Sequence, residues 1–338
     1  MTDKLRLGLV GTGRIGRLHV ATLKQRVPQA ELISVTDVNM QSAQECAEQY
    51  GIKQVAASLD DILADDTIDA VVICSSTDTH APFITQAAKA GKHIFCEKPI
   101  AANLAAIDAA LAAVEEADVK LMIGFNRRFD SNAARIKSAI DAGEIGIPHL
   151  MHIISRDPAP PPIEYIKVSG GIFFDMMIHD FDMARFLLGD VEEVYAAGGV
   201  MVDPAIGEAG DIDTACVTLK FKNGAIGTID NSRQAVYGYD QRIEVFGSKG
   251  AAKAENVYPN AVTISTDQTV QQDKPLHFFI ERYVASYQTE LAAFVDSVLQ
   301  GTPSPVSGQD GHAPVVLAMA ALRSLKENRP ISLSEMAV

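Results

Sequence analysis

The sequence has none of the features that would suit a nucleic-acid or membrane partner. Its 29 Lys and Arg are outnumbered by 43 Asp and Glu, and the formal charge of −14 repels phosphate surfaces. No segment approaches the ~20 consecutive apolar residues of a membrane span. Met1 to Lys4 lead straight into a strand-like stretch, without the charged start, apolar core and cleavage site of a secretory signal. The cytoplasm is therefore the expected location. Cysteine is scarce: Cys46, Cys74, Cys96 and Cys216 form no C-x-x-C pair and stand at no metal-ligand spacing with a histidine. All four are expected to be buried thiols, and zinc-dependent chemistry is disfavoured. Internal repeats and low-complexity tracts are absent as well.

A chain of 338 residues suits two domains. The first 125 residues alternate short apolar runs with helical patterns. Strand signals fall at Leu5–Val10, Glu31–Thr36, Ala70–Cys74, His93–Cys96 and Lys120–Ile123. Between them, helices are expected over 14–25, 40–49, 81–90 and 104–117, with Asn39 and Asn103 as N-caps and Ser58-Leu59-Asp60-Asp61 as a capping box. Such alternation predicts an α/β fold with a doubly wound parallel sheet covered on both faces. Beyond a linking helix over 131–142 the pattern changes. Strand candidates follow in succession at Leu150–Ser155, Glu193–Gly198, Thr214–Phe221, Ala225–Asp230, Arg242–Phe246 and Ala261–Ser265, with turn signals at Asn223-Gly224 and Lys249-Gly250. The Pro- and Gly-rich stretch 157–171 reads as a loop. Continuous helices are expected over 172–188, 281–299 and 313–328. This half predicts an α+β domain on a large, mostly antiparallel open sheet. The expected division is 1–125 and 126–338, with the C-terminal helix a candidate to pack back on the first domain.

Gly11-Thr12-Gly13-Arg14-Ile15-Gly16 fits G-x-G-x-x-G, follows a strand and opens a helix, as dinucleotide binding requires. Gly11 permits the tight turn, Gly13 lets a pyrophosphate approach the backbone, and Gly16 lets helix and strand pack closely. Asp37 ends the second strand about 20 residues further on, where an acid takes the ribose hydroxyls. A 2′-phosphate would meet that negative charge, and neither Val38 nor Asn39 offsets it, so NAD is favoured over NADP. Arg14 is long enough to reach a phosphate, which leaves NADP open. Ser75, Ser76 and Thr77 follow a strand at its carboxyl end; they either line the cofactor or cap the next helix.

Glu97-Lys98-Pro99 ends the strand signal His93–Cys96 at the same sheet edge. A lysine there can orient and polarise a substrate oxygen, although a lysine alone is more often a surface residue. In Gly170-Gly171-Ile172-Phe173-Phe174-Asp175-Met176-Met177-Ile178-His179-Asp180, Asp175 and His179 stand one helical turn apart among large apolar residues. Burying a carboxylate beside an imidazole there is costly without purpose, and His suits proton transfer near neutral pH. Asp180 and Asp182 are expected to face solvent or the domain seam.

Taken in order, the glycine loop, Glu97-Lys98-Pro99 and Gly170-Gly171…Asp175…His179-Asp180 resemble the Gfo/Idh/MocA oxidoreductase family over nearly the whole chain. The resemblance implies an N-terminal Rossmann domain that binds NAD and a C-terminal sheet that often forms an oligomer interface, hence a tetramer or dimer. Three further stretches are similar to the branch of the family that oxidises inositols: Phe125 to Asp130, Asn231 to Arg242, and Phe279 to Tyr283. By resemblance the catalytic group is Lys98, Asp175 and His179. The cofactor set is Gly11, Thr12, Gly13, Arg14, Ile15, Gly16, Asp37, Ser75, Ser76, Thr77, His80, Glu97 and Lys98. Substrate contacts are Lys98, Arg127, Asp157, Asp175, His179, Tyr283, and Tyr237 or Tyr239. The implied reaction is NAD-dependent oxidation of a secondary hydroxyl of a cyclic polyol such as myo- or scyllo-inositol. Aldose or anhydrosugar dehydrogenases are the nearest alternative. NAD-dependent glycosidases and non-catalytic NAD-binding regulators lie further off, and the intact Lys98, Asp175 and His179 speak against a regulator.

Overall fold

The computed structural model describes residues 4–336. The chain divides into two compact units, one running to Phe129 and including Ala285–Val315, the other comprising Asp130–Val284 and the residues from Val316.

Six short strands, β1 (Leu5–Val10), β2 (Ala30–Thr36), β3 (Gln54–Val55), β4 (Ala70–Ile73), β5 (His93–Glu97) and β6 (Leu121–Gly124), build the first sheet. All pairs are parallel and the spatial order is β3-β2-β1-β4-β5-β6, the dinucleotide-binding order with its reversal beside β1. Leu7, Leu9, Val71, Val72, Ile94 and Phe95 are fully buried because helices cover both faces. The expected caps are present: Asn39 accepts from Ser42 N, Asn103 from Ala106 N, and Ser58 and Asp61 close their box. The late segment Ala285–Val315 joins this unit through apolar packing and edge bonds. Phe294 meets Phe95 edge-on at 5.7 Å, Ile123 N donates to Val306 O, and Lys120 Nζ donates to Thr302 O. A cut at residue 125 therefore differs from the division made by packing.

The second unit carries β7 (Pro148–Arg156), β8 (Val191–Gly199), β9 (Thr214–Phe221), β10 (Ile226–Ser232), β11 (Asp240–Gly247) and β12 (Gly250–Ala254), a small β13 (Thr263–Ser265) and β14 (Val270–Gln272) hairpin, and β15 (Ile331–Ser332). The large sheet has the order β12-β11-β7-β10-β9-β8-β15, antiparallel except for β7 beside β10. Gly224, at φ +90°, makes the β9–β10 turn. Side chains alternate along β9, so that Ala215, Val217, Leu219 and Phe221 are buried while their neighbours are exposed. The Ile178–Leu188 helix packs against β7 through a buried apolar face.

Four expectations change. The helix over 172–188 is two pieces, Ile172–Asp175 and Ile178–Leu188. The loop over 157–171 contains a helical turn, Ile163–Ile166. The helix over 281–299 is preceded by a separate turn, Phe279–Arg282, and itself starts at Val284. Cys216 is exposed, since it points to the open face of β9, whereas Cys46, Cys74 and Cys96 are buried. Among the described residues no helix is long and apolar enough to cross a membrane.

Candidate active site

In the first unit, Gly11 holds φ +95° directly against β4; a Cβ there would come within 2.6 Å of the Cys74–Ser75 backbone. At Gly16 a Cβ would meet Gly11 O at 1.8 Å, so helix and turn are in contact. Gly13 is exposed with open space where its Cβ would stand, and as N-cap of Arg14–Arg26 it adds no capping side chain. The helix amides there are left for an anion such as pyrophosphate. Asp37 is placed at the lip of this turn. Its Oδ2 accepts from Thr12 N (2.6 Å) and Thr12 Oγ1 (3.1 Å), and its Oδ1 from Asn39 N (2.8 Å). A carboxylate has about four acceptor positions, so one stays available to a ribose hydroxyl. The nearby guanidinium of Arg17 is committed to Thr12 O, Ser42 O and Glu45. Arg14 and Val38 are exposed and Ile15 half-buried. The Asp37 carboxylate beside Thr12 fits NAD better than a 2′-phosphorylated cofactor.

Ser75 Oγ pairs with Thr79 Oγ1 at 2.6 Å, Ser76 is an N-cap without a side-chain bond, and Thr77 opens the helix Thr77–Lys89. His80 is buried, with Nδ1 2.7 Å from Pro99 O and Nε2 3.1 Å from Ser75 O. It pins the loop after β4 to the loop after β5, and burial pulls its pKa below the ordinary histidine value. Glu97 is also buried. Its Oε1 lies 2.7 Å from His19 Nε2, and its Oε2 accepts from Lys98 N at 3.3 Å. Lys98 is half-buried at the carboxyl end of β5.

In the second unit the break between Asp175 and His179 is a local change of register. Met177 N bonds Ile172 O, five residues back, before Phe181 N resumes the ordinary bond to Met177 O. A wide turn of this kind is frequent at functional sites, and it re-aims His179 relative to a straight helix. Asp175 Oδ2 accepts from Arg233 Nη1 (3.0 Å) and its Oδ1 from Tyr165 OH (2.8 Å). Asp180 and Asp182 do not face solvent; both are 1% exposed, and Asp180 accepts from Asn231 Nδ2 at 2.9 Å. A carboxylate so buried is kept by its hydrogen bonds.

Residues 5–125 match an oxidoreductase family with an NAD-binding Rossmann fold, and residues 133–253 match the GFO/IDH/MocA C-terminal domain. This chain belongs to the Gfo/Idh/MocA oxidoreductase family. It is 50% identical to the myo-inositol 2-dehydrogenase of Thermotoga maritima, over 98% of this chain and 99% of that protein. It is 47% identical to the inositol 2-dehydrogenase of Rhizobium meliloti, over 98% and 99% of the two chains. Among solved structures, the scyllo-inositol dehydrogenase of Lactobacillus casei with bound NAD(H) and scyllo-inositol superposes with a TM-score of 0.92. Its identity is 28%, over 98% of this chain and all of that one.

The remaining residues expected from Gfo/Idh/MocA resemblance occupy varied settings. Arg127 is half-buried in the short turn Asn126–Phe129. Asp157 is half-buried at the end of β7, where its backbone bridges Ser232 O and Ala235 N. Tyr237 is 38% exposed and donates to Asp240 Oδ2 at 2.6 Å, with Arg156 Nη1 donating to its hydroxyl at 3.2 Å. Tyr239 and Tyr283 are buried and meet edge-on at 6.1 Å, with Arg282 over the Tyr283 ring. Tyr239 is therefore the tyrosine that shares an environment with Tyr283. Sequence reading missed His19, Arg17, Arg233, Asp211 and Tyr165. His19 had a signal, lying on the buried face of the cofactor helix, and Arg233 falls within the stretch Asn231 to Arg242. The links of Arg233 to Asp175 and Asp211 are long-range pairings.

Proposed function

We infer that this protein oxidises a secondary hydroxyl of an inositol with NAD, myo-inositol being the first substrate to try. The observation that carries the reading is the 50% identity to a myo-inositol 2-dehydrogenase across 98% of the chain, with the glycine turn and the Asp37 carboxylate disposed for NAD. When bound, NAD supplies the acceptor for the hydride leaving the carbinol carbon. In this reading His179 Nε2 or Nδ1 removes the hydroxyl proton, and Lys98 holds and polarises the same oxygen. Asp175, fixed by Arg233 and Tyr165, orients the proton-transfer group. Gly11, Thr12, Gly13, Arg14, Ile15, Gly16 and Asp37 bind the dinucleotide. Ser75, Ser76 and Thr77 edge it, while His80 and Glu97 hold the loops that do so. Arg127, Asp157, Tyr283 and Tyr237 or Tyr239 recognise the remaining hydroxyls.

Assembly into a homotetramer or dimer belongs to the same reading. Ile226, Leu150 and Phe246 stand in register on one face of the second sheet and are exposed, as is Tyr195 on the same face, and burying such a row supports self-association. The cytoplasm is the proposed location. The test is steady-state NADH formation with myo-inositol, scyllo-inositol, glucose and xylose, with NAD and with NADP. His179→Ala should lower kcat by about 10²–10⁴-fold while NAD binding, followed by fluorescence, is retained. Activity that survives the substitution nearly intact rules out His179 as the base.

A further inference from the structure

Arg233 directly follows β10 and is 1% exposed, one of the bulkiest fully buried side chains of the protein. A guanidinium is not buried without partners, and Arg233 has two carboxylates. Nη1 donates to Asp175 Oδ2 at 3.0 Å and Nη2 to Asp211 Oδ2 at 3.1 Å. Burial works against its charge, but Asp175 and Asp211 outweigh that and hold its pKa above the ordinary arginine value. The second oxygen of Asp211 accepts from Ile172 N at 3.1 Å, the first amide of the turn that carries Asp175. Gly171, at φ +89°, lets Asp211 come this close; a Cβ there would lie 2.9 Å from Asp211 Oδ1. The second oxygen of Asp175 accepts from Tyr165 OH at 2.8 Å. The segment bearing Asp211 is itself tied down, because Asp213 accepts from Met201 N and Val202 N, each at 2.8 Å, and Arg233 N bonds Asp213 O. Both oxygens of Asp175 and the start of its helical turn are thus held by three separate segments.

We propose that Arg233, together with Asp211 and Tyr165, is a positioning device for the acid–base turn: it fixes the Asp175 carboxylate in one rotamer, and so fixes the backbone from which His179 projects. This rests on the inositol-oxidising reading above. With its two oxygens engaged by Arg233 and Tyr165, Asp175 acts as an orienting group, which leaves proton removal to His179.

The experiment compares wild-type full-length protein with Tyr165→Phe, Asp211→Asn, Arg233→Lys and Arg233→Ala. Each is assayed for kcat and KM with myo-inositol, for NAD affinity and for thermal melting. Tyr165 is 48% exposed, so Tyr165→Phe removes the hydroxyl that reaches Asp175 with little risk to folding. Folded variants should bind NAD as wild type does and lose kcat with little change in KM. The loss should be several-fold for Tyr165→Phe and about 10²-fold for Asp211→Asn or Arg233→Lys, the scale of a misplaced reacting group. Added guanidinium should restore part of the activity of folded Arg233→Ala. A latch that merely stabilises the fold would lower the melting temperature and leave kcat of the folded protein unchanged; Tyr165→Phe and any folded Asp211→Asn or Arg233→Lys with wild-type kcat overturn the proposal. A wild type that binds NAD but oxidises no inositol sinks the functional reading instead, and the positioning role falls with it.

Discussion

Asp37 shows how one carboxylate can serve both the fold and the ligand. Three donors from Thr12 and Asn39 hold it against the glycine turn, and in the proposed reading its remaining acceptor capacity takes a ribose hydroxyl. Asp37→Ser should weaken NAD binding by about tenfold or more, the scale of a lost charge-assisted hydrogen bond. It should also narrow the preference for NAD over NADP, because the repulsion of a 2′-phosphate disappears. The ratio of kcat/KM for the two cofactors is the measurement, and an unchanged ratio would remove Asp37 from cofactor choice. The same logic of shared duty applies at Glu97. Its carboxylate joins the buried His19 to the Lys98 backbone, so the residue preceding the expected catalytic lysine is a support for it.

At the scale of elements, local chemistry and long-range packing separate clearly. Asn103 accepts from Ala106 N at 2.9 Å and starts the helix Leu104–Glu116. Asn103→Ala should cost about 1 kcal/mol, read by denaturant unfolding; no loss would mean that packing alone holds that end. These caps were legible because a side chain and an amide three residues away decide them. The break between Asp175 and Ile178 was not legible. No Pro or Gly lies within 172–188, so periodicity alone predicts one continuous helix. The turn before the break is bonded by Asp211 and Arg233 from distant parts of the chain and by Tyr165 from ten residues upstream of Asp175, contacts that periodicity does not record.

For the whole molecule, buried titratable groups set the response to acid. His80 is pushed below the ordinary histidine value, first by burial. Its neutral form is favoured by the fold, so its contribution is complete above about pH 6.5 and is lost as pH falls through the depressed folded value. His93 is lowered in the same direction, by burial and then by Lys120. Burial raises the pKa of Asp213, but the amides of Met201, Val202 and Asp203 outweigh it and leave the pKa lowered. That contribution is complete above about pH 3.9 and is lost as pH falls through the lowered value. The melting temperature should thus decline in two stages, one beginning below about pH 6.5 and one below about pH 4. His80→Gln should flatten the first stage. A melting profile with the same slope between pH 7 and 5 would show that His80 does not drive it.

By itself the sequence determined the alternation that makes the parallel sheet, the glycine turn with its acid, the order of the motifs and most of the caps. Each of these is decided by residues close together along the chain or by strict periodicity. Only the tertiary structure decided that Ala285–Val315 packs with the first unit, that Asp180 and Asp182 are buried, and that Arg233 and Asp211 hold Asp175. Those outcomes depend on which distant groups can satisfy a charge or an apolar face taken out of water, and linear spacing carries no record of that pairing.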